Sequence, residues 1–171
     1  MPATVFGLPL HVLMVHAVVV LIPLSTIGIV IIVVSERWRE RLLWPVAAVA
    51  TVATASAVVA TQSGESLQAT LGVSGYDLFV KHRGLGDAAR IGIALMWLSL
   101  AAYVVLVRRP AFTPWIGRVS SRWVRVAGAL AVAFAILATV QVVLAGDSGA
   151  RAVWTPLLPT TAPPSTPTPS R

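Results

Sequence analysis

The sequence predicts an all-α integral membrane protein: a four-helix antiparallel bundle with both ends of the chain on the extracytoplasmic side. Three observations carry this. Of the 171 residues, 57% are hydrophobic and only 11% charged, whereas soluble domains carry roughly 25% charged residues. A soluble fold of this composition would lack the charges needed to cover its surface. Several apolar runs approach or pass the ~20 residues that cross a bilayer as helix. The arginines cluster in two of the segments between those runs, the bias that orients helices in membranes.

The first span covers residues 10 to 34, with Pro9 placed where a missing backbone N–H costs nothing. Pro23 lies inside it, with Ser25 and Thr26 nearby to satisfy carbonyls that the proline frees. Residues 1–10 hold no Lys or Arg and no small-residue cleavage motif follows the run, so it is expected to be retained rather than removed as a signal. Ser35-Glu36-Arg37-Trp38-Arg39-Glu40-Arg41 closes the span. The second span, residues 43 to 61, is rich in Ala, Thr and Ser. Small residues at Ala47, Thr51 and Ala55 let backbones approach, which marks a protein-facing helix.

Residues 62 to 89 form the longest polar stretch before the tail, with a short helix expected over Tyr76–His82. The third span follows over residues 90 to 107 and stops at Arg108-Arg109-Pro110. Between Phe112 and Val126, apolar Trp115, Ile116, Val119 and Trp123 face away from Arg118, Arg122 and Arg125. That pattern suits a helix lying in the headgroup layer. The fourth span runs from 124 to 145 and is expected to end at Gly146. Residues 155–171 contain six prolines, five threonines and two serines and form a disordered tail that cannot pack.

The two arginine-rich segments hold eight basic against two acidic residues, and the other side five against four. The positive-inside rule therefore puts both termini outside the cell membrane. A net charge of +7 and an isoelectric point near 11.5 do not indicate nucleic acid, because the arginines sit beside apolar runs. The partner implied is the lipid bilayer. With no cysteine, disulfides, thiolate metal sites and iron–sulfur clusters are excluded.

Chemistry-bearing residues gather at the outer end. His11 and His16 open the first span, His82 precedes the third, and Glu65, Asp87 and Asp147 lie nearby, with Gln141 a turn deeper. His16 is expected to point inward, toward Gln141 or the end of the second span, because an ionisable group within a span avoids lipid. Five residues separate it from His11, about 140° around a helix, so each imidazole meets a different partner. Asp87 and Arg90 are spaced for an i,i+3 ion pair.

Gly7-Leu8-Pro9-Leu10-His11 with His16, Ser63-Gly64-Glu65, His82 with Leu85-Gly86, and Gly146-Asp147-Ser148-Gly149-Ala150-Arg151-Ala152-Val153-Trp154 resemble a bacterial membrane family, domain of unknown function 2231, over residues 7 to 154. The resemblance implies four spans, histidines near one face and, since some relatives are joined to Rieske-type domains, the company of a redox complex. The sequence departs from the family pattern at Val12, Ala17 and Asp147, the last standing where a His is frequent.

Four readings are open, the first a bound haem or metal. His11 or His16 paired with His82 can ligate a b-type haem. His11, His82, Glu65 and Asp147 offer a mixed set suited to a divalent metal. The plainest reading is a non-enzymatic structural or accessory subunit, with no catalytic residue, whose inward polar groups bond helices together. A proton path would need a charged residue in the inner half of a span, and none is there. Hydrolysis through Ser148 would need a base brought by the fold, and the expected position of the serine, after the last helix, speaks against it.

Overall fold

A computed structural model describes residues 4–72, 77–108 and 121–154. Thr4–Val5 (β1) and Leu8–Pro9 (β2) pair antiparallel through a turn at Phe6 and Gly7, whose φ angles of 53° and 78° are both positive, as a two-residue hairpin requires. Four helices follow: α1 Leu10–Val34, α2 Glu36–Leu71, α3 Asp77–Arg108 and α4 Ser121–Trp154. All four are long and apolar enough to cross a membrane. The headgroup-layer helix expected over Phe112–Val126 and the tail of residues 155–171 lie outside the described residues, except that Ser121–Val126 form the start of α4.

Three differences from the sequence expectation concern helix ends. Ser35 alone separates α1 from α2, donating its N–H to Ile31 O at 3.0 Å and accepting from Arg39 N at 2.9 Å. The arginine-rich segment is thus the first two turns of α2, not a loop. The polar stretch 62–89 is largely helical: α2 runs on to Leu71 and α3 begins at Asp77. Gly72, at φ 67°, ends α2 by giving its N–H to Gln68 O, the left-handed cap that glycine adopts most easily. Gly146 does not end α4, which continues two more turns to Trp154. The 36 residues of α2 extend about 54 Å at 1.5 Å per residue, against ~30 Å of hydrocarbon. The polar turns are therefore helix beyond the apolar layer, where charged side chains reach water.

The heaviest packing is α3 on α4 and α1 on α2, with α1–α4 and α2–α3 closing the bundle. Near one end, Tyr103 Oη donates to Ile32 O at 3.2 Å and accepts from Arg39 Nη1 at 3.3 Å. Midway, Thr26 Oγ1 lies 3.0 Å from Ala135 O and 2.8 Å from Thr139 Oγ1, and Trp97 Nε1 donates to Thr51 Oγ1 at 3.0 Å. α1 passes Pro23 without a break; Ser25 and Thr26 bond back to Leu21 and Ile22 rather than to the Val19 carbonyl that the missing proline N–H leaves free. The side chains facing outward are large and apolar, among them Val20, Ile27, Leu98, Ile136 and Val143, and lipid is the solvent that suits them.

The two helix pairs bury their residues in one register. Counted from His11, α1 buries Val18, Ile22, Ser25, Ile29 and Ile32, at +7, +11, +14, +18 and +21. Counted from His82, α3 buries Ala89, Ile93, Met96, Leu100 and Tyr103 at the same offsets. Counted back from Ala60, α2 buries Ala57, Ala53, Ala50, Val46 and Leu43, at −3, −7, −10, −14 and −17. Counted back from Ala145, α4 buries Val142, Ala138, Ala135, Ala131 and Gly128 at those same offsets. The bundle is a structural repeat, α1–α2 and α3–α4, in which the second helix of each pair packs through small residues. Ala135 has no exposed surface, so Ala135→Leu should force the helices apart and cost about 1–3 kcal/mol. Ile136→Leu, at the neighbouring outward position, should leave the thermal midpoint in detergent unchanged. Equal midpoints for the two variants would show that the small-residue face does not set the helix spacing.

Candidate functional site

The start of α1 meets the end of α2 where His11 Nδ1 lies 2.8 Å from Ala60 O. The start of α3 meets the end of α4 where His82 Nδ1 lies 3.0 Å from Ala145 O. A carbonyl oxygen only accepts, so each Nδ1 carries the proton and donates it. In the neutral form of each ring the nitrogen left without a proton is then Nε2. Each ring reaches its carbonyl because a glycine stands one turn further along. A Cβ on Gly64 would sit 2.8 Å from His11 Nδ1, and one on Gly149 would sit 2.9 Å from His82 Cε1. A serine stands three residues beyond each carbonyl: Ser148 Oγ donates to Ala145 O at 2.7 Å, while Ser63 Oγ lies 3.1 Å from Ala60 O and makes its shorter bond, 2.7 Å, to Val59 O. Two pentapeptides do this work, Ala60-Thr61-Gln62-Ser63-Gly64 and Ala145-Gly146-Asp147-Ser148-Gly149.

The two rings face one cavity of about 110 Å³ that takes in the ends of all four helices. Their centroids are 6.3 Å apart, with planes 80° from parallel. Val15, Val18, Ala57, Ile93 and Val142 form its apolar wall, and Glu65, Gln68, Arg83 and Arg90 its polar rim. Across the rim, Arg83 Nη2 lies 3.5 Å from Glu65 Oε1, which ties α2 to α3. Gln141 packs against Gly92, and its buried Oε1 has no hydrogen-bond partner among the described residues.

The expected residues separate into those the fold assembles and those it does not. His11, His82 and Glu65 come together. His16 is corrected: it is exposed on the outer face of α1, with Nδ1 bonded at 2.6 Å to Val12 O of its own helix. The reason is azimuthal, since once His11 faces the bundle a residue about 140° away cannot. The back-bond supplies the polar partner that the expectation sought from Gln141. Asp147 also lies elsewhere, paired with Arg151 Nε at 2.8 Å on the exposed side of α4. Asp87 holds Arg90 at 3.5 Å in the i,i+3 pair expected. Among the described residues no three of His, Cys, Asp and Glu stand close enough to hold a metal by themselves.

The family described as "Predicted membrane protein (DUF2231)" matches residues 7–161. The chain belongs to that family. Neither a curated protein nor a solved structure matches the chain. The family match takes in both pentapeptides and all three histidines. Sequence reasoning missed the carbonyl cradles. The signal that would have found them is the repeated A-x-x-S-G, which reads as two unrelated polar patches unless the halves are compared.

If the glycines serve to admit the rings, Gly64→Val and Gly149→Val should each cost about 1–3 kcal/mol. Gly84→Ala, where a Cβ meets nothing within 4 Å, should gain about 0.5–1 kcal/mol from better helix propensity. Thermal unfolding in detergent distinguishes them. A stabilised Gly149→Val would mean that the His82 ring does not need the space.

Proposed function

We propose that the protein is a non-enzymatic subunit of the bacterial plasma membrane. In this reading it is an antiparallel four-span bundle with both termini and the histidine end outside. The apolar spans are residues 10–34, 43–61, 90–107 and 124–145, and residues 155–171 form an extracytoplasmic tail. The observation that carries this reading is how the interior polar groups are used. His11, His82, Thr26 and Tyr103 all bond one helix to another. The uneven arginine distribution supports the sidedness. The resemblance to relatives joined to Rieske-type domains supports a redox complex as its partner.

Ser148 has a histidine within reach, His82 Nδ1 at 3.1 Å, yet the protons are arranged against nucleophilic attack. The serine proton goes to Ala145 O at 2.7 Å, and the neighbouring ring nitrogen is a donor, not a base. Haem as ligand meets a size limit. A cavity of about 110 Å³ is well below the ~300 Å³ at which pockets for drug-sized ligands begin, and a porphyrin would have to part the helices.

Because the chain has no cysteine, single-cysteine labelling reads its topology cleanly. Gly72→Cys, between α2 and α3, should react with an impermeant maleimide on intact cells. Trp38→Cys, at the start of α2, should react only after permeabilisation. The reverse pattern would overturn the orientation. Labelling by a fluorophosphonate that disappears in Ser148→Ala would overturn the non-enzymatic reading.

A further inference from the structure

We propose that His11 and His82 together bind a divalent transition-metal ion through their Nε2 atoms. The site lies in the cavity where the two structural repeats meet, and the proposal does not depend on which side of the membrane that end occupies.

The first argument is the tautomer. Imidazoles that ligate metals almost always give their other ring N–H to a carbonyl, carboxylate or water, which fixes ring orientation and raises basicity. Both cavity-lining histidines do this, His11 to Ala60 O at 2.8 Å and His82 to Ala145 O at 3.0 Å. Each keeps an Nε2 lone pair that no described residue uses. In an apolar-walled cavity, two ring nitrogens left to accept call for a cation or a strong donor.

The second argument is duplication. The same carbonyl, serine and glycine arrangement recurs in α2 and in α4, so two equivalent donors arrive from two equivalent helix pairs. One imidazole staple would join one helix pair. Two staples whose rings line one cavity bring two donors to a shared space. His16 is the internal contrast, since it bonds to its own helix and lies outside the cavity.

Dimensions agree. Zinc–imidazole bonds are about 2.0–2.1 Å. Adding about 1.1 Å from nitrogen to ring centre, an ion shared by both rings separates the centroids by about 5–6.4 Å, depending on the angle at the metal. The observed separation of 6.3 Å lies at the wide end of that range, so the two nitrogens would stand nearly opposite each other across the ion, and a tetrahedral angle would need the rings to close by about 1 Å. A water takes ~30 Å³ of liquid volume, so a cavity of about 110 Å³ has room for an ion and a few waters. Borderline ions such as zinc, copper, nickel and iron suit imidazole, while magnesium and calcium prefer oxygen. With two protein donors the ion keeps open positions, as exchangeable and reactive sites do and closed structural sites do not.

The test uses the full chain without a polyhistidine tag, in detergent or nanodiscs, titrated with zinc against a chromogenic chelator and with magnesium as control. A single zinc should bind per chain and magnesium should not compete. His11→Asn and His82→Asn are the informative changes. The asparagine amide can still donate to the helix carbonyl, so the staple survives while the ligand is lost. Each should weaken zinc binding by about tenfold or more, with the metal-free thermal midpoint unchanged. His16→Asn should bind as the parent does. Should the asparagine variants fold poorly, imidazole nitrogen NMR of the parent gives the same answer. Zinc should move the Nε2 signals of two of the three histidines and leave their Nδ1–H protons in place. Absence of saturable binding, binding indifferent to both asparagine changes, or binding lost through His16 would overturn the proposal.

Discussion

Inside a bilayer an apolar side chain gains nothing by leaving lipid for protein, so helices associate where their backbones can come close enough for dispersion and hydrogen bonding. That requirement shapes the whole chain. The inward faces of α2 and α4 are mostly alanine and glycine, while α1 and α3 supply the bulk between them with Ile22, Ile29, Met96 and Leu100. Large against small at every level brings each helix pair to short range. Only at short range can a side chain on one helix bond a main-chain carbonyl on the next, as Thr26, His11 and His82 do.

The energetics of the two imidazole cradles do not favour a purely structural purpose. A side-chain hydrogen bond between membrane helices averages about 0.6 kcal/mol, while a glycine in a helix costs about 1 kcal/mol relative to alanine. Gly64 and Gly149 are both within helices and both needed to admit a ring. The net stability from each cradle is therefore near zero or slightly unfavourable. What the cradles do provide is a fixed ring: one tautomer and one direction for Nε2. Positioning of that kind has value for a ligand and little for a fold.

The number of spans and the class of fold were legible because lipid leaves few options for apolar runs of this length. Helix ends were harder. Gly64, Gly84, Gly86 and Gly146 invite a reading as breakers, yet all four lie within helices. In Gly64 the missing Cβ serves a contact rather than a turn, and sequence does not separate those two uses. Polar content misled in the same way: residues 62–71 and 77–89 are polar because they are helix beyond the apolar layer, not because they are loop. For His16 the relevant number was already in the spacing. An azimuth of about 140° permits only one of the two imidazoles to face the bundle, and depth in the membrane was weighed where direction decided. His11 is the one whose ring finds a carbonyl on another helix.

Position 147 shows how far the structure revises a sequence comparison. The family resemblance implies a frequent histidine there, and an aspartate in its place looks like a lost ligand. In the bundle, residues 145 and 149 present the carbonyl and the space that His82 uses, and Ser148 is buried beside them. Asp147 lies on the exposed side of the same turn and bonds forward to Arg151. A side chain at 147 therefore leaves the face that His11 and His82 share. Whatever a histidine adds at that position in relatives, its absence subtracts no donor from the paired imidazoles. The departure touches the water-exposed turn of α4 and leaves the two-donor cavity as built.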